Sequence, residues 1–203
     1  MIAKLFYRFF LKITGWKYVI NPDIPEDCLN RCILLAAPHT SNWDQPYTVA
    51  VMSLLNIPYK YTIKQEWTKN PFLGWLIKAT GGLGVDRTPK EPGQERLSMV
   101  EAMANLFKKH EKLAVIVPPE GTRSLRTEWR SGFYHTAVLA GVPICFGYLD
   151  YEKKEAGIGG YIMPTGNMDI DMPKIMEFYK NIKGKYPEKF SLDLRYLPKS
   201  EDK

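Results

Sequence analysis

The sequence predicts an α/β fold, a mostly parallel central sheet flanked by helices, with an amphipathic helix at the N-terminus. Three observations point there. Short apolar, β-rich runs at 32–37, 59–64 and 113–117 alternate with helical patterns, as strands joined by helical crossovers do. At 203 residues the chain is long enough for one sizeable core, and one domain is the prior for that length. Finally, His39, Arg87 and Glu120 each stand just past the carboxyl end of a run read as a strand, which is where open α/β sheets bind ligands. On this reading residues 1–16 form the amphipathic helix and residues 17–203 a single α/β domain.

Taken in order, Ile2–Thr14 forms a short helix. Lys4, Arg8 and Lys12 recur every four residues on one side, and Leu5, Phe6, Phe9, Phe10 and Ile13 cover the other. Cations opposite bulky apolar side chains suit a membrane interface, with the cations near lipid phosphates and the rings at the acyl boundary. The same apolar side could pack on the protein's own core, and one helix could do both. Asn21–Arg31, with two prolines and several charges, reads as a loop. Cys32–Ala37 is the first strand, followed by the His39 turn and a helix from about Trp43 to Asn56 that holds Pro46 in its first turn. Tyr59–Lys64 is the next strand, with Lys64 at its end. Pro71–Thr80, closed by Gly81-Gly82, is a short helix so apolar that it belongs to the core or to the rim of a chain-binding site, with core preferred. Leu83–Val85 is a strand and Thr88–Gly93 a polar loop.

Gln94–His110 carries Leu97, Val100, Ala104 and Phe107 on one helical face and leads into the strand Leu113–Val117. Gly132–Ala140 is a helix stopped by Gly141, and Pro143–Leu149 a strand. Gly157–Met163 reads as an antiparallel strand at a sheet edge, because Gly159 and Gly160 weaken it. Asp171-Met172-Pro173 caps a last helix running to about Ile182. There is no internal repeat, and only the tail at 199–203 has a disordered composition.

The formal net charge of +6 implies an anionic partner, whether nucleic acid, a membrane surface or a phosphorylated substrate. The basic residues form no long run and no nucleic-acid module, so nucleic acid is set aside. Three cysteines, Cys28, Cys32 and Cys145, have no metal-ligand spacing, and an odd count argues against a disulfide framework and for a reducing compartment. No His pair has helical metal spacing, so no metal site is expected. No apolar run reaches the roughly 18–20 residues that cross a bilayer, and no signal-peptide cleavage pattern is seen. If the chain meets lipid, it does so from one side.

The chemistry centres on Pro38-His39-Thr40-Ser41-Asn42-Trp43-Asp44. A His at a strand end and an Asp five positions on, across a turn rich in Ser, Thr and Asn, can reach one another. Such a pair makes a general base, because the carboxylate holds the imidazole tautomer and steadies its positive charge. A capped turn at a helix start would look the same. His110 ends a helix, where a cation suits the dipole. His135 lies within a helix among apolar neighbours and reads as packed. Asp169 and Asp171 read as helix caps.

With a second segment, Val117-Pro118-Pro119-Glu120-Gly121-Thr122-Arg123-Ser124, the chain resembles the glycerolipid acyltransferase family, whose members acylate lysophosphatidic acid and related acceptors. The first stretch is similar to that family's His-x-x-x-x-Asp motif, and the second to its Phe-Pro-Glu-Gly-Thr-Arg-Ser block. Gly81-Gly82-Leu83-Gly84-Val85-Asp86-Arg87 resembles its second block and Gly141-Val142-Pro143-Ile144 its fourth, so the four cover about residues 38–146 in order.

The resemblance implies acyl transfer from acyl-CoA or acyl carrier protein to a lysophospholipid hydroxyl, with 1-acyl-glycerol-3-phosphate as default acceptor and no cofactor. His39 and Asp44 would be the base. Arg87 and Arg123 would hold the acceptor phosphate, since Arg donates in a planar fork. Glu120, in the block with Gly121 and Thr122, would bind a glycerol hydroxyl or organise those arginines, and Arg130 is a further phosphate candidate. Backbone amides near Gly121 or in Gly81–Gly84 would serve the oxyanion. The enzyme would sit on the cytoplasmic face of the membrane, peripheral or monotopic. Pro38 stands where the family often has Asn, Pro118 where it has Phe, and the N-terminal anchor is short. These departures bear on the acceptor, so another lysolipid such as a lyso-amino-acid lipid is the second expectation. An ester or thioester hydrolase and a non-catalytic lipid-binding protein are the readings from other classes.

Overall fold

A computed structural model of the chain describes residues 2–64, 69–85 and 98–197. Among these residues seven strands form one sheet in the order β1-β7-β6-β2-β5-β3-β4. They are β1 (Lys17–Ile20), β2 (Arg31–Ala36), β3 (Tyr59–Lys64), β4 (Gly82–Val85), β5 (Leu113–Val117), β6 (Ile144–Asp150) and β7 (Glu155–Ile162). All neighbours pair in parallel except β6 and β7. Among the described residues the α-helices are α1 (Ile2–Thr14), α2 (Glu26–Asn30), α3 (Asp44–Leu54), α4 (Pro71–Ala79), α5 (Met99–Lys109), α6 (Gly132–Ala140) and α7 (Met168–Tyr179). This is the α/β architecture that the alternating pattern predicts.

The centre of the sheet explains why β2 and β5 read as unbroken apolar runs: both of their faces are covered. Ile33, Leu35 and Val115 point into a core with Phe133, Tyr134 and Tyr179. Their neighbours Cys32, Leu34 and Ala114 point the other way, against Leu11, Val51 and Met52. β2, β5 and β3 run the same way, so the turn holding His39 and the turn holding Glu120 leave neighbouring strands at the same end of the sheet.

α1 divides into three faces. Leu11 is buried in the core, with Tyr7 and Phe10 partly covered beside it, while Leu5, Phe6, Phe9 and Ile13 are exposed. Lys4, Arg8 and Lys12 lie between. The helix therefore packs on the protein and still presents a bare apolar stripe.

Several expectations need correction. The segment 17–20 is a strand that the sequence pattern hides, because an edge strand with exposed or half-buried side chains shows no apolar alternation. The loop 21–31 contains α2, whose Leu29 anchors it in the core. β7 is antiparallel as expected, but β1 pairs along its outer side, so it is not an edge. A Cβ at Gly157 would stand 1.8 Å from the Val19 carbonyl oxygen, so this glycine admits β1 rather than weakening an edge. The helix read from Gln94 begins instead at Met99, because Ser98 and Glu101 form a reciprocal capping box there; residues 94–97 and the loop 88–93 lie outside the described residues. The last helix is capped by Asn167, which accepts from the Asp169 amide. Asp171 is no cap. It is fully buried and accepts from the Tyr134 hydroxyl at 2.7 Å and from the Thr165 amide and hydroxyl. His135 is exposed on α6, not packed, because Tyr134, Thr136 and Ala137 take the inward positions.

Candidate active site

The turn after β2 begins with a cis Ala37–Pro38 peptide and delivers His39 and Asp44 together. His39 Nδ1 lies 3.1 Å from Asp44 Oδ2. Asp44 is the first residue of α3, where a carboxylate suits the positive end of the helix dipole. The same Oδ2 accepts from the backbone amides of Thr40 at 3.0 Å and Ser41 at 2.9 Å. Its other oxygen, Oδ1, accepts from the Tyr151 hydroxyl at 2.8 Å. Asp44 is buried, so its charge is carried by these four donors. The His39 side chain keeps 22% of its surface exposed, enough for the ring to meet a substrate.

Glu120 leaves β5 and turns under the same loop. Its Oε1 accepts from the His39 backbone amide at 2.9 Å. Oε2 is buried with no hydrogen-bond partner among the described residues. Burial pushes this carboxyl up to about 7, against the pull of the His39 amide. A carboxyl so placed braces the His39 loop from below.

Gly121 follows with φ +67°, the left-handed region that glycine tolerates, and a Cβ there would come within 2.6 Å of Arg130 Nε. Arg130 is thus brought against this turn, and its amide donates to the Pro119 carbonyl at 2.9 Å. The Gly121 amide donates to the Pro118 carbonyl at 3.1 Å, so the turn itself already uses that amide. Thr122 Oγ1 accepts from the Ser124 amide at 3.3 Å. Arg123 is exposed at a cavity of about 310 Å³, whose wall it shares with His39 and Asp44. The rest of that wall includes Leu34, Val49, Met52 and Ile116, an apolar interior between the sheet and α3. Arg87 lies outside the described residues, as does the side chain of Lys64.

His39, Asp44, Glu120, Gly121 and Arg123 thus gather at one end of the sheet. The cysteines stand at the other: Cys32 near the start of β2, Cys145 near the start of β6, and Cys28 beside them, its carbonyl accepting from Cys145 Sγ. All three are free thiols, and a hydrogen bond with the Cys145 thiol together with burial pushes the Cys32 thiol well up, so it does not present a thiolate.

Sequence reasoning missed the groups that hold this loop from the C-terminal part of the chain. Besides Tyr151, the Tyr186 amide donates to Thr40 Oγ1 at 3.2 Å, and Gly184 packs on Thr40 and Pro38 so closely that a Cβ would meet Thr40 Oγ1 at 2.9 Å. No local signal marks these residues, since only the tertiary fold brings them to His39.

Comparison with known proteins places the site in context. A family model described as Acyltransferase matches residues 17–145, which include His39, Asp44, Arg87 and Glu120–Arg123 but neither Tyr151 nor Tyr186. The structure is similar to that of the 1-acyl-sn-glycerophosphate (LPA) acyltransferase PlsC from Thermotoga maritima. The two share 17% identity over 81% of this chain and 69% of that one, with a TM-score of 0.48. No curated protein matches the sequence.

Proposed function

The chain belongs to the Acyltransferase family, and on that premise we propose that it moves a fatty acyl group from acyl-CoA or acyl carrier protein to a lysophospholipid hydroxyl. The default acceptor is 1-acyl-glycerol-3-phosphate, giving phosphatidic acid. The observation that carries the reading is the His39 Nδ1–Asp44 Oδ2 contact of 3.1 Å beside an apolar cavity.

In this mechanism the acceptor hydroxyl donates to His39 Nε2. As its oxygen attacks the thioester carbon, the proton passes to Nε2, and Asp44, bonded at Nδ1, steadies the imidazolium. The tetrahedral intermediate then collapses with cleavage of the C–S bond, and the imidazolium returns its proton to the departing thiolate. Ester and thiol leave, and the base is regenerated. A thioester already carries a good leaving group, so no enzyme nucleophile and no cofactor are required.

Arg123, exposed at the cavity that His39 lines, supports a phosphate-bearing acceptor, with Arg87 as its partner in the family block. Glu120 supports the site through the His39 backbone. The bare apolar stripe of α1, flanked by Lys4, Arg8 and Lys12, supports docking on an anionic membrane surface. Among the described residues no helix is long and apolar enough to cross a membrane. We propose a place on the cytoplasmic face of the membrane, peripheral or monotopic.

The test is acyl transfer from acyl-CoA and from acyl carrier protein to a panel of lysolipids. Product with lysophosphatidic acid, abolished by His39→Ala and weakened by Arg123→Ala mainly through KM for the acceptor, is expected. Product only with a phosphate-free lysolipid would remove the phosphate role of Arg123. Fatty acid released equally without acceptor would make the protein a hydrolase, and full activity in His39→Ala would end the reading.

A further inference from the structure

We propose that Tyr151 is a positioning residue for the His39–Asp44 pair, its phenol fixing the carboxylate and its ring tying the pair to the C-terminal end of α1. The inference rests on the reading of His39 as the base. It concerns a residue beyond the segment that the family model matches.

The geometry is asymmetric. Asp44 Oδ2 receives His39 Nδ1 and two backbone amides, while Tyr151 is the donor to Oδ1. The three contacts on Oδ2 converge on a single atom and leave the carboxylate free to twist about it. The bond to Oδ1 sets that twist, and with it the direction in which Oδ2 meets the imidazole. Without Tyr151, Oδ1 would be a buried carboxylate oxygen with no donor, a state that water entry or rotation of the group would relieve. Burial and the contact with Asp44 push the phenol up, so it remains a hydroxyl donor across the working pH range.

Tyr151 is itself held on three sides. It follows the last residue of β6, and its amide donates to the Lys183 carbonyl at 2.9 Å. Its ring meets Trp16 edge-on, with centroids 4.9 Å apart at 87°, and Tyr47 at 6.1 Å and 85°. Trp16 stacks on Tyr47 at 4.3 Å. Trp16 stands two residues beyond α1, and its amide closes the helix end on the Leu11 carbonyl at 2.8 Å. A continuous line of packed groups therefore runs from the foot of α1 through Trp16, Tyr151 and Asp44 to His39.

Tyr151→Phe keeps the ring and removes only the hydroxyl. The variant is compared with wild type in three measurements: kcat and KM for transfer, the thermal melt, and amide hydrogen exchange at Thr40 and Ser41 relative to amides of β2. Referencing to β2 separates loosening of the loop from global unfolding. We expect exchange at Thr40 and Ser41 to quicken while β2 stays protected. We expect kcat to fall about ten- to hundredfold, the scale on which a small misplacement of a reacting group acts, with KM for both substrates within about twofold. Trp16→Leu, which keeps the hydroxyl but removes the stacked ring, should give a smaller loss of the same kind. Wild-type exchange at Thr40 and Ser41 in Tyr151→Phe would overturn the proposal whatever the activity. If the wild type transfers no acyl group, the function assigned above falls, and the exchange measurement still decides the role of Tyr151.

Discussion

Glu120 offers the sharpest quantitative test, because its carboxyl is buried, half satisfied and displaced upward to about 7. The sign follows from proton binding. Between about pH 4.5 and 7 the folded protein holds a proton on Glu120 that the unfolded chain has released, so folding is favoured at the acid end. That stabilisation is complete below the unfolded value and is lost as pH rises through about 7. Between pH 5 and pH 8 the loss is about 2.5 kcal/mol, taking each unit of displacement as about 1.4 kcal/mol. Glu120→Gln removes the titration while retaining an oxygen to accept from the His39 amide. Urea unfolding of both proteins at pH 5 and pH 8 isolates the effect, since the other titrating groups are common to both and largely cancel. The stability of wild type relative to the variant should fall by about 2–3 kcal/mol on going from pH 5 to pH 8. A difference that does not change with pH would show that Glu120 ionises normally, and the account of a buried, neutralised brace under His39 would be wrong.

Two further substitutions test other parts of the structure. Gly157→Ala places a methyl group 1.8 Å from the Val19 carbonyl oxygen and so must push β1 from β7; a loss of about 1–3 kcal/mol in denaturant unfolding is expected, and unchanged stability would contradict the strand pairing. Phe6→Ser combined with Phe9→Ser removes side chains that are 62% and 59% exposed. Sedimentation with anionic vesicles should drop sharply while the thermal melt stays put, and undiminished binding would assign membrane contact to another surface.

The centre of the fold was legible in the sequence because burial on both faces imposes unbroken apolar runs, as in 32–35 and 113–116. The edges were not. β1 carries only exposed or half-buried side chains, and it is held by backbone pairing that any sequence can supply. Gly157 and Gly159 weaken a strand by propensity, yet one admits a neighbouring backbone and the other the Phe178 ring, which a Cβ at Gly159 would meet at 2.5 Å. The same residue type thus has opposite meanings, and only the neighbours decide. Asp171 misleads in the same way. Beside a helix start a carboxylate reads as a cap, but the Tyr134 hydroxyl and Thr165 give it a buried role that no local pattern encodes.

The site divides along the same line. His39 and Asp44 were readable because one six-residue stretch carries both, and the two meet across a single turn. What holds the pair comes from elsewhere: Glu120 from the end of a neighbouring strand, Tyr151 from the turn after β6, and Tyr186 from beyond the last helix. A general base must stay oriented through a proton transfer, and a short polar turn cannot resist rotation of a carboxylate by itself. The load passes to groups that reach the turn from three other segments of the chain. Part of what holds the His39–Asp44 pair therefore lies outside the matched family segment, and on the proposed reading a substitution there lowers turnover while leaving every motif residue intact.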